Sequence, residues 1–160
     1  MTNDVTIKVT VDNVKQKSGT TYKGDFTFEQ TSGSPNVLKD NGKIDLSDVS
    51  GETDITFDWA SPHVTIDGET YNASFFYGTD TDQNILISKG KDSDPEKSGS
   101  NPPFTGDEEF LVNQSQTPAN FMLMDKNNDG GKYAYCLIAY VDKDGGSRLI
   151  CDPKIINKPG

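Results

Sequence analysis

Residues 133–141, Tyr-Ala-Tyr-Cys-Leu-Ile-Ala-Tyr-Val, and residues 147–151, Ser-Arg-Leu-Ile-Cys, flank the turn Asp142-Lys-Asp-Gly-Gly146. Two β-branched and aromatic runs around a loop rich in Asp and Gly predict a β-hairpin. The chain continues Asp152-Pro-Lys-Ile-Ile-Asn-Lys-Pro-Gly160. Proline has no N–H to give to a ladder, so Asp152-Pro153 is expected to end the hairpin and send Ile155-Ile156 to another edge. Cys136 and Cys151 sit on the two arms at similar distances from the turn. Their spacing allows a cross-strand bridge, but the expectation is free thiols in a reducing compartment.

The same alternation recurs upstream. Val5, Ile7, Val9 and Val11 alternate with Thr6, Lys8 and Thr10, and Thr53, Ile55, Phe57 and Trp59 with Asp54, Thr56 and Asp58. Each reads as a strand buried on one face, with Trp59 in the core near a strand end. Tyr22–Phe28, Val64–Ile66, Thr70–Tyr77, Ile85–Ile87, Phe110–Val112 and Phe121–Met124 are further strands. Asp40-Asn-Gly-Lys43 and Asp67-Gly68 are turns. Residues 88–109 are polar and breaker-rich, an extended loop in which Phe104 is expected to dock back onto the body. About nine or ten short strands with turn chemistry between them predict an all-β chain. The expected architecture is a single antiparallel β-sandwich domain over residues 1–160, immunoglobulin-like or related.

Composition agrees. Leu, Ile, Val and Phe make up 34 of 160 residues, a lean core, while 15 Thr against 5 Ala favours strands over helices. The net charge of −10 opposes nucleic-acid phosphates and anionic membranes. No apolar run approaches the length needed to cross a bilayer, and Met1-Thr-Asn-Asp-Val shows neither the basic nor the apolar region expected of a signal peptide. The expected location is the cytoplasm, or outside the cell by export without a classical signal peptide.

Few residues carry chemistry. Asp125, Asn127 and Asp129, followed by Gly130, place oxygens at alternate positions as the first half of an EF-hand loop does, which makes Ca2+ the one cofactor suggested. The twelfth position, however, is Cys136 rather than Glu, and the flanks read as strands. The competing reading is a hairpin loop in which Asn, Asp and Gly serve the backbone. His63 is the sole histidine, so no histidine-pair metal site can form, and a relay with Asp58 would lack a recognisable nucleophile elbow. Met122 and Met124 read as core or interface filler. Tyr71, Tyr77, Tyr133, Tyr135 and Tyr140 are many for so lean a core. They are expected at a rim with hydroxyls in water, where tyrosine beside Asp and Asn suits sugar or protein surfaces.

The run Cys136-Leu-Ile-Ala-Tyr140, the Asp-Gly-Gly turn and Asp152-Pro153-Lys-Ile155-Ile-Asn157 resemble the ending of small bacterial proteins grouped as the DP-EP family. The resemblance implies an all-β domain and no catalytic residues. The sequence therefore points to a non-catalytic, acidic binding or assembly module that meets a protein partner or itself. The alternatives are a calcium-assisted or carbohydrate-binding, lectin-like module, and a hydrolase using Asp58 and His63.

Overall fold

A computed structural model of the chain describes residues 3–75, 84–90, 92–95, 109–113, 119–128, 130–144, 146–151 and 154–156. Asp129, Tyr77, Phe104, Asp152-Pro153 and most of the 88–109 stretch lie outside the described residues. The strands, in chain order, are β1 (Asn3–Ser18), β2 (Thr21–Ser32), β3 (Ile44–Asp45), β4 (Thr53–Trp59), β5 (His63–Ile66), β6 (Glu69–Phe75), β7 (Ile85–Lys89), β8 (Phe110–Asn113), β9 (Asn120–Asp125), β10 (Lys132–Val141), β11 (Ser147–Cys151) and β12 (Lys154–Ile156). A 3-10 turn at Asp40–Gly42 precedes β3. The chain is all-β, and the short β3 and β12 bring the strands among the described residues to twelve.

The sheet is mixed rather than antiparallel. Its ladder runs β3-β12-β10-β11-β2-β1-β4-β9-β8, and β6 and β7 join the other side of β10. Three ladders are parallel: β1 with β4, β11 with β2, and β12 with β3. Hairpin spacing cannot reveal these pairs, because parallel neighbours need long crossovers, and β2 and β3 both lie between β1 and β4.

β1 buries Val5, Ile7, Val9 and Val11, and β4 buries Thr53, Ile55, Phe57 and Trp59, as the alternation demands. Asp67 and Gly68 both take positive φ, which a two-residue hairpin turn requires, and β5 and β6 pair across them. β10 is the hub. It pairs with β11 and β12 along one edge and with β6 and β7 along the other. Ile155-Ile156 does not go to another edge: Cys151 opposes Leu137 and Lys154 opposes Ala134, so β12 resumes the ladder of β11 on the same strand.

Aromatic rings fill the core. Phe57 on β4 lies 5.8 Å from Tyr135 on β10, Phe75 on β6 lies 4.9 Å from Phe121 on β9, and Phe110 on β8 lies 4.8 Å from Tyr133. Trp59 lies 5.4 Å from Phe75 and donates its indole N–H to the Ser61 and Ala73 carbonyls at 2.8 and 3.1 Å. Tyr133 and Tyr135 are thus core residues, not rim residues. Both faces of β10 are covered, so seven consecutive residues, Tyr133–Ala139, are buried, and alternation cannot sort them.

Candidate functional site

Three regions hold the residues singled out above. The first is the β9–β10 connection. Asp125 ends β9 on its buried face, level with Phe121 and Leu123. Its Oδ1 accepts the Asn127 N–H at 2.8 Å, a local turn that Asp favours. Asn127 takes a positive φ and turns its side chain inward, where Nδ2 donates to the carbonyls of Val49 at 2.8 Å and of Leu46 and Gly51 at 3.3 Å. The amide N–H2 thus stands where three carbonyl oxygens converge, so Asn127 serves the backbone of a distant loop. Glu109 escaped the sequence reading. It is buried, its carbonyl accepts the Lys126 N–H at 2.9 Å, and its carboxylate accepts the Asn128 N–H at 3.0 Å. Two buried carboxylates therefore flank this connection. Asp129, the third expected ligand, lies outside the described residues, and among the described residues no three His, Cys, Asp or Glu cluster as a metal site.

The second region is the β10–β11 turn. Asp142 accepts the Asn72 N–H at 2.8 Å and its Nδ2 at 3.0 Å, tying the turn to β6. Lys143 places its ammonium 5.8 Å from the ring centres of both Tyr22 and Tyr71 and 2.8 Å from the Asp144 carboxylate. Hydrogen bonds to Asp144 and Tyr22 hold its charged form well past the ordinary lysine range. The Tyr71 hydroxyl donates to Glu69 at 2.8 Å. Beside this cluster an open depression of about 310 Å³ is lined by Asn72, Ser74, Tyr140, Val141, Asp142 and Gly146. It lies at the opposite end of β10 from the Asp125 connection, roughly 25 Å away at a strand's rise per residue. A cation at Asp125 therefore cannot touch a ligand held at Tyr140.

The third is the end of β4. His63 opens β5 exposed, and among the described residues no hydrogen bond or ion pair joins it to Asp58. Ser61 between them accepts the Val11 N–H at 3.0 Å, a structural bond. Met122 and Met124 are half-buried on the face of β9 opposite Phe121 and Leu123, so neither is a core residue. Cys136 and Cys151 are free thiols. Since Leu137, not Cys136, opposes Cys151, the two sulfurs project from opposite faces of the ladder and cannot bridge.

Sequence reasoning found the strand Tyr22–Phe28 within β2 but not its neighbours. It pairs with β1 over most of its length, but on its other side β11 reaches it only at Thr21 and Tyr22. Beyond Tyr22, β2 and β11 splay. One opening, of about 480 Å³, is lined by Gly24, Asp25, Phe26, Phe28, Asn41, Ile150 and Cys151. A second, of about 640 Å³, lies between Phe26–Phe28 and the loop Asn36–Gly42. Gln30 holds that loop in place, its Oε1 accepting the Val37 and Leu38 N–H groups at 2.9 and 3.3 Å.

No family model matches the chain, and no curated protein matches it. Among solved structures, an inclusion body protein (PixA) from Burkholderia cenocepacia is similar over 95% of each chain, at 10% identity and a TM-score of 0.34. No helix among the described residues is long and apolar enough to cross a membrane.

Proposed function

We propose that the protein is a non-catalytic binding or assembly module built as a single two-layer β-sandwich. The layered arrangement is supported by the pairs Phe57–Tyr135, Phe75–Phe121 and Phe110–Tyr133, whose rings meet although their strands are not neighbours in the ladder. The observation that carries the functional reading is the employment of the polar side chains. Asn127, Ser61, Gln30 and Asp142 hold backbone together, and the wide openings lie along β2 rather than over a cluster of titrating groups. Such a molecule meets partners through edges and loops. The test has two arms: solution mass over a concentration series, and capture of partners from the native host on immobilised protein. A strict monomer that retains nothing specific overturns the reading. Retained activity in His63→Ala, for any hydrolysis detected, would remove the Asp58–His63 alternative.

Calcium assistance is the second reading, favoured by the buried carboxylates of Asp125 and Glu109 on either side of the Lys126–Asn128 segment. Site binding should raise the thermal midpoint with added Ca2+, and Asp125→Asn should abolish that rise; no response to Ca2+ ends this reading. Sugar binding belongs instead to the depression at Tyr140, where a tyrosine, Asn72 and Asp142 meet. A glycan array on the wild type and on Asn72→Ala tests it.

A further inference from the structure

Arg148 is the sole arginine in a chain with 25 Asp and Glu, yet among the described residues its guanidinium meets no carboxylate. Its Nε is closed off from solvent and has no acceptor there. A buried donor without an acceptor is costly, and the planar fork of a guanidinium fits a carboxylate or another oxyanion. Register sets its surroundings. Arg148 stands opposite Tyr140 of β10 on one side and Thr21 of β2 on the other, and Tyr140 stands opposite Ser74 of β6. Their chain neighbours Ala73, Val141, Leu149 and Tyr22 enter the core, so this row faces outward. It crosses four neighbouring strands, a span of roughly 14 Å. Tyr140 packs against the small cluster Cys136, Ile138 and Ile150, stays half-buried, and lines the depression shared with Asn72 and Ser74.

Two residues beyond Thr21, on the same face, Lys23 stands opposite Lys15 of β1. Both lysines are exposed, and neither enters an ion pair among the described residues. Strand spacing and rise put the Cα of Lys23 roughly 8 Å from that of Arg148. Residues 15, 23 and 148 thus form a positive patch on a molecule of net charge −10, one that their separation in sequence conceals. Two lysines directly opposed are unfavourable, and an anion between them relieves the repulsion. Asp12 and Asp25 are the next opposed pair along β1 and β2 and bound the patch there, with Asp25 accepting from Asn13 Nδ2 at 2.8 Å. Asp142, which lines the depression, has both carboxylate oxygens engaged by Asn72.

We propose that this face binds an acidic oligosaccharide. One sugar ring lies against Tyr140 with a hydroxyl at Ser74, its carboxylate or sulfate sits on Arg148, and a further anionic group sits at Lys23 and Lys15. This rests on the sugar reading of the Tyr140 depression and gives it a ligand class. Tyrosine offers a sugar ring a flat apolar face and a polar tip, and the flanking serine and threonine hydroxyls suit its own. A nucleic-acid strand carries a charge at every unit and meets the negative field along its whole length. A short sugar chain sets its few anions within the patch and escapes most of that repulsion.

The experiment screens the full chain on a glycan array of neutral, uronic-acid and sulfated oligosaccharides. Calorimetric titration with the tightest acidic glycan follows, with poly-glutamate and single-stranded DNA as controls. Acidic glycans should bind about tenfold or more tightly than their neutral counterparts, and Arg148→Gln should remove that advantage. Arg148→Lys should restore only part of it, because a point charge lacks the fork. Lys23→Gln should weaken binding about threefold while its urea midpoint stays level or rises, since it relieves the Lys15–Lys23 opposition. Urea midpoints of the Arg148 variants should also hold, because that guanidinium has no partner to lose among the described residues. Neutral glycans that bind equally well, indifferent to Arg148 but lost in Asn72→Ala, overturn the acidic ligand and leave the sugar reading standing. Poly-glutamate or DNA bound as tightly as the acidic glycans overturns the proposal in favour of a general polyanion patch. An array on which nothing binds overturns both the proposal and the sugar reading.

Discussion

Asn127 tests the reasoning most directly. Its side chain is almost wholly buried, and its amide nitrogen faces the carbonyls of Leu46, Val49 and Gly51 at 3.3, 2.8 and 3.3 Å. An amide has two hydrogens, so two of these contacts are full bonds and the third is shared. Losing them should cost about 2 kcal/mol in Asn127→Gly, which keeps the backbone at ease at φ 56°. Asn127→Ala keeps a Cβ in the left-handed region without the side-chain amide that lets asparagine tolerate it, and should cost roughly 3 kcal/mol. Asn127→Asp is nearly isosteric but sets a carboxylate against three carbonyl oxygens; with an unpaired buried charge the loss should reach about 4 kcal/mol or more. Urea unfolding followed by the fluorescence of the buried Trp59 measures all three. A carboxylate at 127 as stable as the wild type would mean that the amide does not gather these carbonyls, and the account of the loop would fall. If added Ca2+ restores the Asp variant alone, the convergence of carbonyls is real and the amide stands in for a cation.

Three further outcomes follow from the same structure. Asp54 lies opposite Asp4 across the β1–β4 ladder, and burial, then the neighbouring Glu52 and Asp4, push its carboxyl above the ordinary value. A raised carboxyl stabilises the fold only while protonated and loses that contribution as pH rises, so Asp54→Asn should raise the melting temperature at pH 7 by about 2 °C, with the gain shrinking through the acid range. Tyr135 donates to the Gly42 carbonyl at 2.7 Å, and burial pushes its hydroxyl well above the ordinary tyrosine range. Tyr135→Phe should cost about 1 kcal/mol at neutral pH. Because the unfolded tyrosine ionises first, stability should fall above about pH 10 in the wild type, and the variant should show a shallower fall in alkaline denaturation. Oxidation of the native protein should leave Cys136 and Cys151 unbridged within one chain, checked by counting thiols after denaturation; an intramolecular disulfide would refute the register of β10 and β11.

Strands buried on one face were legible in the sequence. β1, β4 and the Asp67-Gly68 hairpin follow from period-two alternation and turn chemistry, which are local properties. What resisted reading is non-local. Tyr133 and Tyr135 look like surface residues until β4 and β8 are known to pack over the face of β10 that carries them. The three parallel ladders depend on crossovers that leave no mark near the strands. At Asp125–Gly131 the alternating oxygens were visible, but nothing in the sequence says that Asn127 reaches residues 46–51 or that Glu109 folds in beside it. The edge of β2 was hidden for the same reason: whether a strand has a neighbour is a fact about the rest of the chain.

The central place of β10 bears on how the chain reaches its native state during synthesis. Among the described residues β7 pairs with residues 132–141 alone, and β6, β11 and β12 complete their ladders there. A nascent chain that has emerged only as far as residue 130 holds β7 with no template and β6 paired to β5 alone, their apolar faces open to chaperones and to other ribosomes' products. Folding is then expected to be slow and late, limited by closure of distant segments rather than by any local hairpin.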